Sequence, residues 1–150
     1  MVQAILEMCP RLKLIMADRI TVEDIAQGRE WACHGLTELS VYIDKTNASP
    51  GLVSSKDMQR VSYTRLATLT KLRVLDLTYD VADWFGHLTP LELTLEAGLE
   101  LLVTLKDLCI FSFRNFDHRL VGEKERFWMT ESWPKVKYVR RQTMDRERVE

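Results

Sequence analysis

The chain has 150 residues, 46% of them hydrophobic, and its 21 Lys and Arg nearly cancel 22 Asp and Glu to leave a net charge of −1. That length and apolar content support one domain with a continuous core, and the balanced charge removes any dominant attraction to nucleic acid or an anionic membrane. Cys9, Cys33 and Cys109 are odd in number, lie far apart and form no CxxC pair, so neither a disulfide framework nor a zinc ribbon is expected, and a reducing, intracellular setting, cytoplasmic or nuclear, is the simpler reading.

Residues 1–10 lack the basic start and long apolar stretch of a secretory signal. No segment approaches the roughly 18 unbroken apolar residues of a membrane span. A leucine-rich repeat puts L-x-x-L-x-L-x-x-N/C on a short strand, leucines inward and the intervening residues outward. Five lines fit, with fidelity falling toward the ends. The first, 9–14, is degenerate, framed by Cys9, Leu12 and Leu14 with Pro10 in second position. Thr21-Val-Glu-Asp24 then resembles a capping box with Asp for Glu and opens a helix through Ile25 to Trp31. The second line, 36–44, carries Leu36, Leu39 and Val41, with Asp44 in the Asn position. Turn formers in 46–51 predict a loop, after which Ser54 or Ser55 caps a helix carrying Met58, Val61 and Leu66.

The third line, 72–80, repeats the frame with Leu72, Leu75, Leu77 and Asp80. Residues 80–90 have no sustained period, and 91–95 alternate strictly, which predicts an extra short strand or extended segment within an inserted connection. Gly98 to Leu102 is a short helix, and Leu105, Leu108 and Ile110 frame the fourth line, with Phe113 at the Asn position. A further helix runs from Glu123 to Glu131 and ends before Pro134, whose ring cannot continue it. Trp133, Val136 and Tyr138 frame a degenerate fifth line, and the mostly charged tail 141–150 is assigned no role. The second anchors Leu12, Leu39, Leu75, Leu108 and Val136 stand 27, 36, 33 and 28 residues apart. The outer steps fit a repeat of roughly 20 to 29 residues, and the inner ones require insertions. Strand alternating with helix predicts an α/β leucine-rich-repeat solenoid of about five degenerate units over 1–140, with a piece of a longer solenoid as one reading.

Residues 5–12, Trp31-Ala-Cys33 ahead of a leucine line, 69–77, Leu95 to Leu108, and 128–136, in that order, resemble the leucine-rich-repeat region of fungal F-box-type proteins, of the broad ribonuclease-inhibitor-like class. The resemblance covers most of the chain. It implies a substrate receptor of a cullin-type ubiquitin ligase, in which an F-box recruits the adaptor and the repeats choose the target. An F-box is expected upstream as a short helical module containing Leu-Pro, whereas this chain begins almost inside a repeat, so adaptor binding is not carried over.

Leu39, Val41, Leu75, Leu77, Leu108 and Ile110 are expected in the core, where each such side chain is worth about 1.5 to 3 kcal/mol. Outward positions Glu38, Ser40 and Tyr42, then Val74, Asp76 and Thr78, then Asp107, Cys109 and Phe111 form adjacent columns, on which Tyr and Phe can anchor a partner. The competing reading covers Val74, Cys109 and Phe111 with a neighbouring segment. Trp84 and Phe85, in the inserted loop, either pin it down or face a partner. Trp31, Trp128 and Trp133 are expected to pack on the convex, helical layer. Cys33-His34 has no second ligand pair, so no metal is expected. No catalytic motif accompanies Cys33, Cys109, His87 or His118, and no cofactor is implied. Lys135, Lys137, Arg140 and Arg141 form a small basic patch, read as a solvated last turn rather than a nucleic-acid site. The expected function is non-enzymatic binding of another protein. Uncapped ends make self-association, or docking on further repeats, the alternative, and a cysteine-dependent enzyme is the third reading.

Overall fold

The computed structural model describes residues 1–45, 55–78, 91–114 and 122–142. Along the chain run α1 (Val2–Met8), β1 (Leu14–Thr21), α2 (Val22–Gln27), β2 (Glu38–Asp44), α3 (Ser55–Ala67), β3 (Val74–Asp76), a 3-10 helix (Leu99–Thr104), β4 (Ile110–Arg114), α4 (Glu123–Ser132) and β5 (Tyr138–Gln142). The protein is α/β, with an all-parallel sheet alternating with helices. The strands lie in the order β1-β2-β3-β4-β5, so each pairs with its neighbours in sequence. A doubly wound sheet would instead reverse its order at a switch point.

The register fixes the frame. Ile15 stands opposite Leu39, Leu39 opposite Leu75, Leu75 opposite Phe111, and Phe111 opposite Val139. The equivalent anchors are therefore 24, 36, 36 and 28 residues apart. Leu39 and Leu75 are the anchors expected from the sequence, but in the first, fourth and fifth units the strand begins three residues later than expected. One turn precedes every strand: Leu12 N donates to Cys9 O, Leu36 N to Cys33 O, Leu72 N to Leu69 O, Leu108 N to Leu105 O and Val136 N to Trp133 O, all at 3.0–3.2 Å. A carbonyl ladder joins the units just above these turns. Lys13 O accepts from Thr37 N, Thr37 O from Arg73 N, Arg73 O from Cys109 N and Cys109 O from Lys137 N, each at 2.8 Å.

The shift has a physical origin. Leu99, Leu102, Leu105, Leu108 and Phe111 recur every third residue and are all fully buried. A 3-10 helix has three residues per turn, so a period of three carries one apolar face from helix through turn into strand without marking where the strand starts. Ile110, expected in the core, is half-buried, and Leu14 is 49% exposed, while Phe111, Phe113 and Ile15 point into the core.

All the described helical segments lie on the core side. Leu6, Ile25, Met58, Tyr63, Leu66, Leu99, Leu102 and Met129 join the inward strand residues in one cluster. α2 packs on α3, and α3 on the 3-10 helix. Thr21 caps α2 as its spacing predicts, its hydroxyl accepting from Asp24 N at 3.0 Å. The segment 91–95 forms no strand. Leu91 and Leu93 are buried, and the backbone of Glu92 is held by α3, its N donating to Gln59 Oε1 at 2.9 Å and its O accepting from Tyr63 Oη. Gly98 sits at φ 128 with the Tyr63 ring against it, so any side chain there is both strained and crowded. Trp31 and Trp133 are buried, Trp128 is half-buried, and Trp133 stacks edge-on against Phe111 and Trp128 with centroids 5.2 and 5.3 Å away. Among the described residues no helix is long and apolar enough to cross a membrane.

Candidate functional site

Parallel sheets are usually covered on both faces, because crossover helices pack on each. Here every described helical segment joins the core on one side, and the opposite face is the candidate site. Its first row runs Leu14, Glu38, Val74 and Ile110, and its second runs Met16, Ser40, Asp76 and Ser112, with Tyr138 and Arg140 at the corresponding backbone register positions of β5. Exposure falls across these rows. On the edge strand, Leu14 is 49% and Met16 61% exposed, Glu38 is exposed, and Ser40, Val74, Asp76 and Ile110 are half-buried.

Toward the carboxyl ends of the strands the face closes. Tyr42, Thr78 and Ser112 are buried, and Asp44 is fully buried while its carboxylate accepts from Arg19 at 2.6 and 2.9 Å. β1 meets this pair through a register shift between Met16 and Arg19, which brings Arg19 opposite Tyr42. The extra residue of such a bulge re-aims the side chains beyond it. Asp44, the last residue of β2, is thus buried with a cation from the neighbouring strand as partner.

Glu38, Ser40, Val74 and Asp76 thus fall on the open face as expected. Asp76 is turned inward on its own strand, its carboxylate accepting from Thr78 N at 2.8 Å and from the Thr78 hydroxyl. Tyr42 and Phe111, the two aromatic anchors expected to be open, are not: Tyr42 is 1% exposed and Phe111 fully buried. The cause for Phe111 is the three-residue frame shift, which makes it the equivalent of Leu75. Asp107 lies in the turn before β4 rather than in the strand, paired with Lys135 at 2.6 Å. Its carboxyl sits below the usual range, first because of that hydrogen bond and then through the charge of Lys135. Trp84 and Phe85 lie outside the described residues. Leu14, Met16 and Ile110 are open-face residues that the sequence reading missed. The signal was the i, i+3 spacing of Leu12 and Ile15, and of Leu108 and Phe111.

The remaining chemistry is sparse. Cys9 and Cys33, far apart in sequence, occupy equivalent turn positions in adjacent units. The Cys33 thiol is fully buried and its pKa is raised by burial, the reverse of what a nucleophile needs. Exposed His34 lies with Nδ1 3.5 Å from Thr68 O. No group of three His, Cys, Asp or Glu among the described residues is placed to hold a metal. A pocket of about 380 Å³ between α1, the end of β1 and α2 is lined by Gln3, Glu7, Arg19 and Asp24 among others. Glu7 there is engaged structurally, accepting from Gln3 Nε2 at 2.6 Å and Arg29 N at 2.7 Å. Comparison of the chain with protein-family models, with curated proteins and with solved structures gave no match.

Proposed function

We propose that the chain is a leucine-rich-repeat solenoid of about five degenerate strand–helix units, acting as a non-enzymatic scaffold that binds another protein through the open face of its sheet. The observation that carries this reading is the one-sided sheet. Five in-register strands hold Leu14, Met16, Glu38, Val74 and Ile110 on a rigid array that none of the described helices covers. A rigid array limits the ordering cost of binding. Substrate recognition within a ubiquitin ligase is the setting that the F-box-type resemblance implies.

The test is comparative cross-linking. Leu14→Ser, Val74→Arg and Ile110→Ser together should remove a defined set of cross-linked proteins that Lys56→Glu and Arg60→Glu, on the helical side, leave in place. A set unaffected by the open-face changes sinks the proposal. One of the lost proteins should also be ubiquitinated in a manner dependent on this chain if the ligase setting holds.

A second reading rests on the edge strand. β1 is eight residues long and presents Leu14 and Met16 at its open border, as a unit does that docks on a further repeat or on a second copy. Concentration-dependent sedimentation that Met16→Lys abolishes supports it; a monomer at all concentrations removes it. Cysteine-dependent catalysis has the least support, given the buried, raised Cys33 thiol.

A further inference from the structure

The five turns at the amino-terminal rim of the sheet carry an alternation of charge that the function above does not use. Units one, three and five read Arg11-Leu-Lys13, Lys71-Leu-Arg73 and Lys135-Val-Lys137, whereas units two and four read Gly35-Leu-Thr37 and Asp107-Leu-Cys109. The middle residue of each triplet points into the core or packs against it. Both flanking cations are exposed in all three odd units. The carbonyl ladder links Lys13, Thr37, Arg73, Cys109 and Lys137 directly, so these positions form one straight row, and Arg11, Lys71 and Lys135 form a second beside it.

Elsewhere four cations are matched: Arg19 pairs with Asp44, Lys45 with Glu92, Arg60 with Glu100 and Lys124 with Glu96. On the rim, Lys135 alone of the six has an ion-pair partner among the described residues. That partner, Asp107, is the rim's one acid and also lies within the fields of Lys71 and Arg73. Lys13 leans over the small Gly35 of the next unit, its ammonium 2.7 Å from where a Cβ would stand. Five of the six rim cations thus have no ion-pair partner among the described residues, and immediately above them lies the row of Leu14, Glu38, Val74 and Ile110.

We infer that this rim binds an extended acidic segment of the partner protein, with Asp or Glu at every third residue. The inference rests on the protein-binding reading above. Parallel strands lie about 4.8 Å apart, so cations on alternate units recur about every 10 Å. A polyproline-type chain rises about 3.1 Å per residue and repeats its face every three residues, about 9.3 Å, which matches that spacing. A nucleic acid fits less well. Single strands bind through exposed aromatic platforms, and the one aromatic of the five turns, Trp133, is buried, while the row bordering the cations carries the exposed carboxylate of Glu38.

The experiment titrates the full chain with a fluorescent peptide repeating Glu-Pro-Pro, an isomer with its glutamates contiguous, and oligothymidylate, following anisotropy at low and physiological salt. The Glu-Pro-Pro peptide should bind tightest, with affinity falling steeply as salt rises. Lys13→Gln, Arg73→Gln and Lys137→Gln together should weaken it about tenfold. Asp107→Asn should tighten it a few-fold by releasing Lys135, a gain that misfolding cannot produce. Equal binding of the two peptides, tighter binding of oligothymidylate, or no gain from Asp107→Asn overturns the inference. Retention of the open-face cross-links in the triple rim variant overturns the rim alone and leaves the face reading standing. Cross-links that survive the Leu14, Val74 and Ile110 changes, with peptide binding intact, overturn the face reading and leave the rim standing.

Discussion

The two faces of one sheet are built from alternate residues of the same five strands, yet they obey different rules. On the helical side Leu39, Leu75 and Phe111 are fully buried in one row, and their partners come from every helical segment. On the other side the row one residue earlier, Glu38, Val74 and Ile110, runs from exposed to half-buried. A period of two separates the faces, so a slip of one residue would exchange them. The turn before each strand and the carbonyl ladder above it hold the register against that slip.

The comparison is broken most directly at the fourth strand. Phe111→Ala should cost about 3–5 kcal/mol, because it empties the contact with Leu75, Phe113 and Trp133, whereas Ile110→Ala on the opposite face should cost about 1 kcal/mol or less. Urea denaturation of the two variants checks this, and equal losses would mean that the outer face is covered as fully as the inner.

Next in size is the closed end of the open face. Asp44→Ala should cost about 2 kcal/mol, since the Arg19 guanidinium loses its carboxylate and the groups around a fully buried position lose theirs. A loss no larger than that of Glu38→Ala would make this end as open as the first row. Within the helical layer, Thr21→Ala should cost about 1 kcal/mol through loss of the α2 cap, seen as a lowered melting temperature with unchanged cross-links at the open face.

The smallest effects are those of the exposed ion pairs. Glu96 and Asp107 lie below the usual carboxylate range, first because Lys124 and Lys135 donate hydrogen bonds to them, and the two lysines lie correspondingly above theirs. Carboxylates lowered in the folded state contribute stability above their ordinary pKa and lose it as pH falls through the lowered value. Ammonium groups raised in the folded state contribute below their ordinary pKa and lose it as pH rises through the raised value. These pairs therefore leave stability flat near neutrality and steepen only its acid and alkaline limbs. A melting series over pH should show the combined Asp107→Asn and Glu96→Gln variant melting slightly below the parent at pH 7, with the two curves converging at the acid and alkaline limits.

The sequence alone determined the alternation of strand and helix, the existence of five lines, the Thr21 cap, and the phase of the second and third strands. In those two lines Leu36 and Leu72 are each followed by an apolar residue at three and at five and by Asp44 or Asp80 at eight, whereas Leu105 is followed by Leu108 and Ile110 but has Phe113 at eight. It also displayed the three basic triplets, although nothing in their spacing of 60 and 64 residues, from Arg11 to Lys71 and from Lys71 to Lys135, marked them as neighbours. Only the tertiary structure decided the rest. Leucines recurring every third residue fit the end of a 3-10 helix, a turn or a strand equally well, so Phe111 entered the core and Ile110 left it only when the strands paired. The same pairing set distant cations about 10 Å apart on one rim, because parallel strands joined by helices bring together residues whose separation along the chain depends on the length of each crossover.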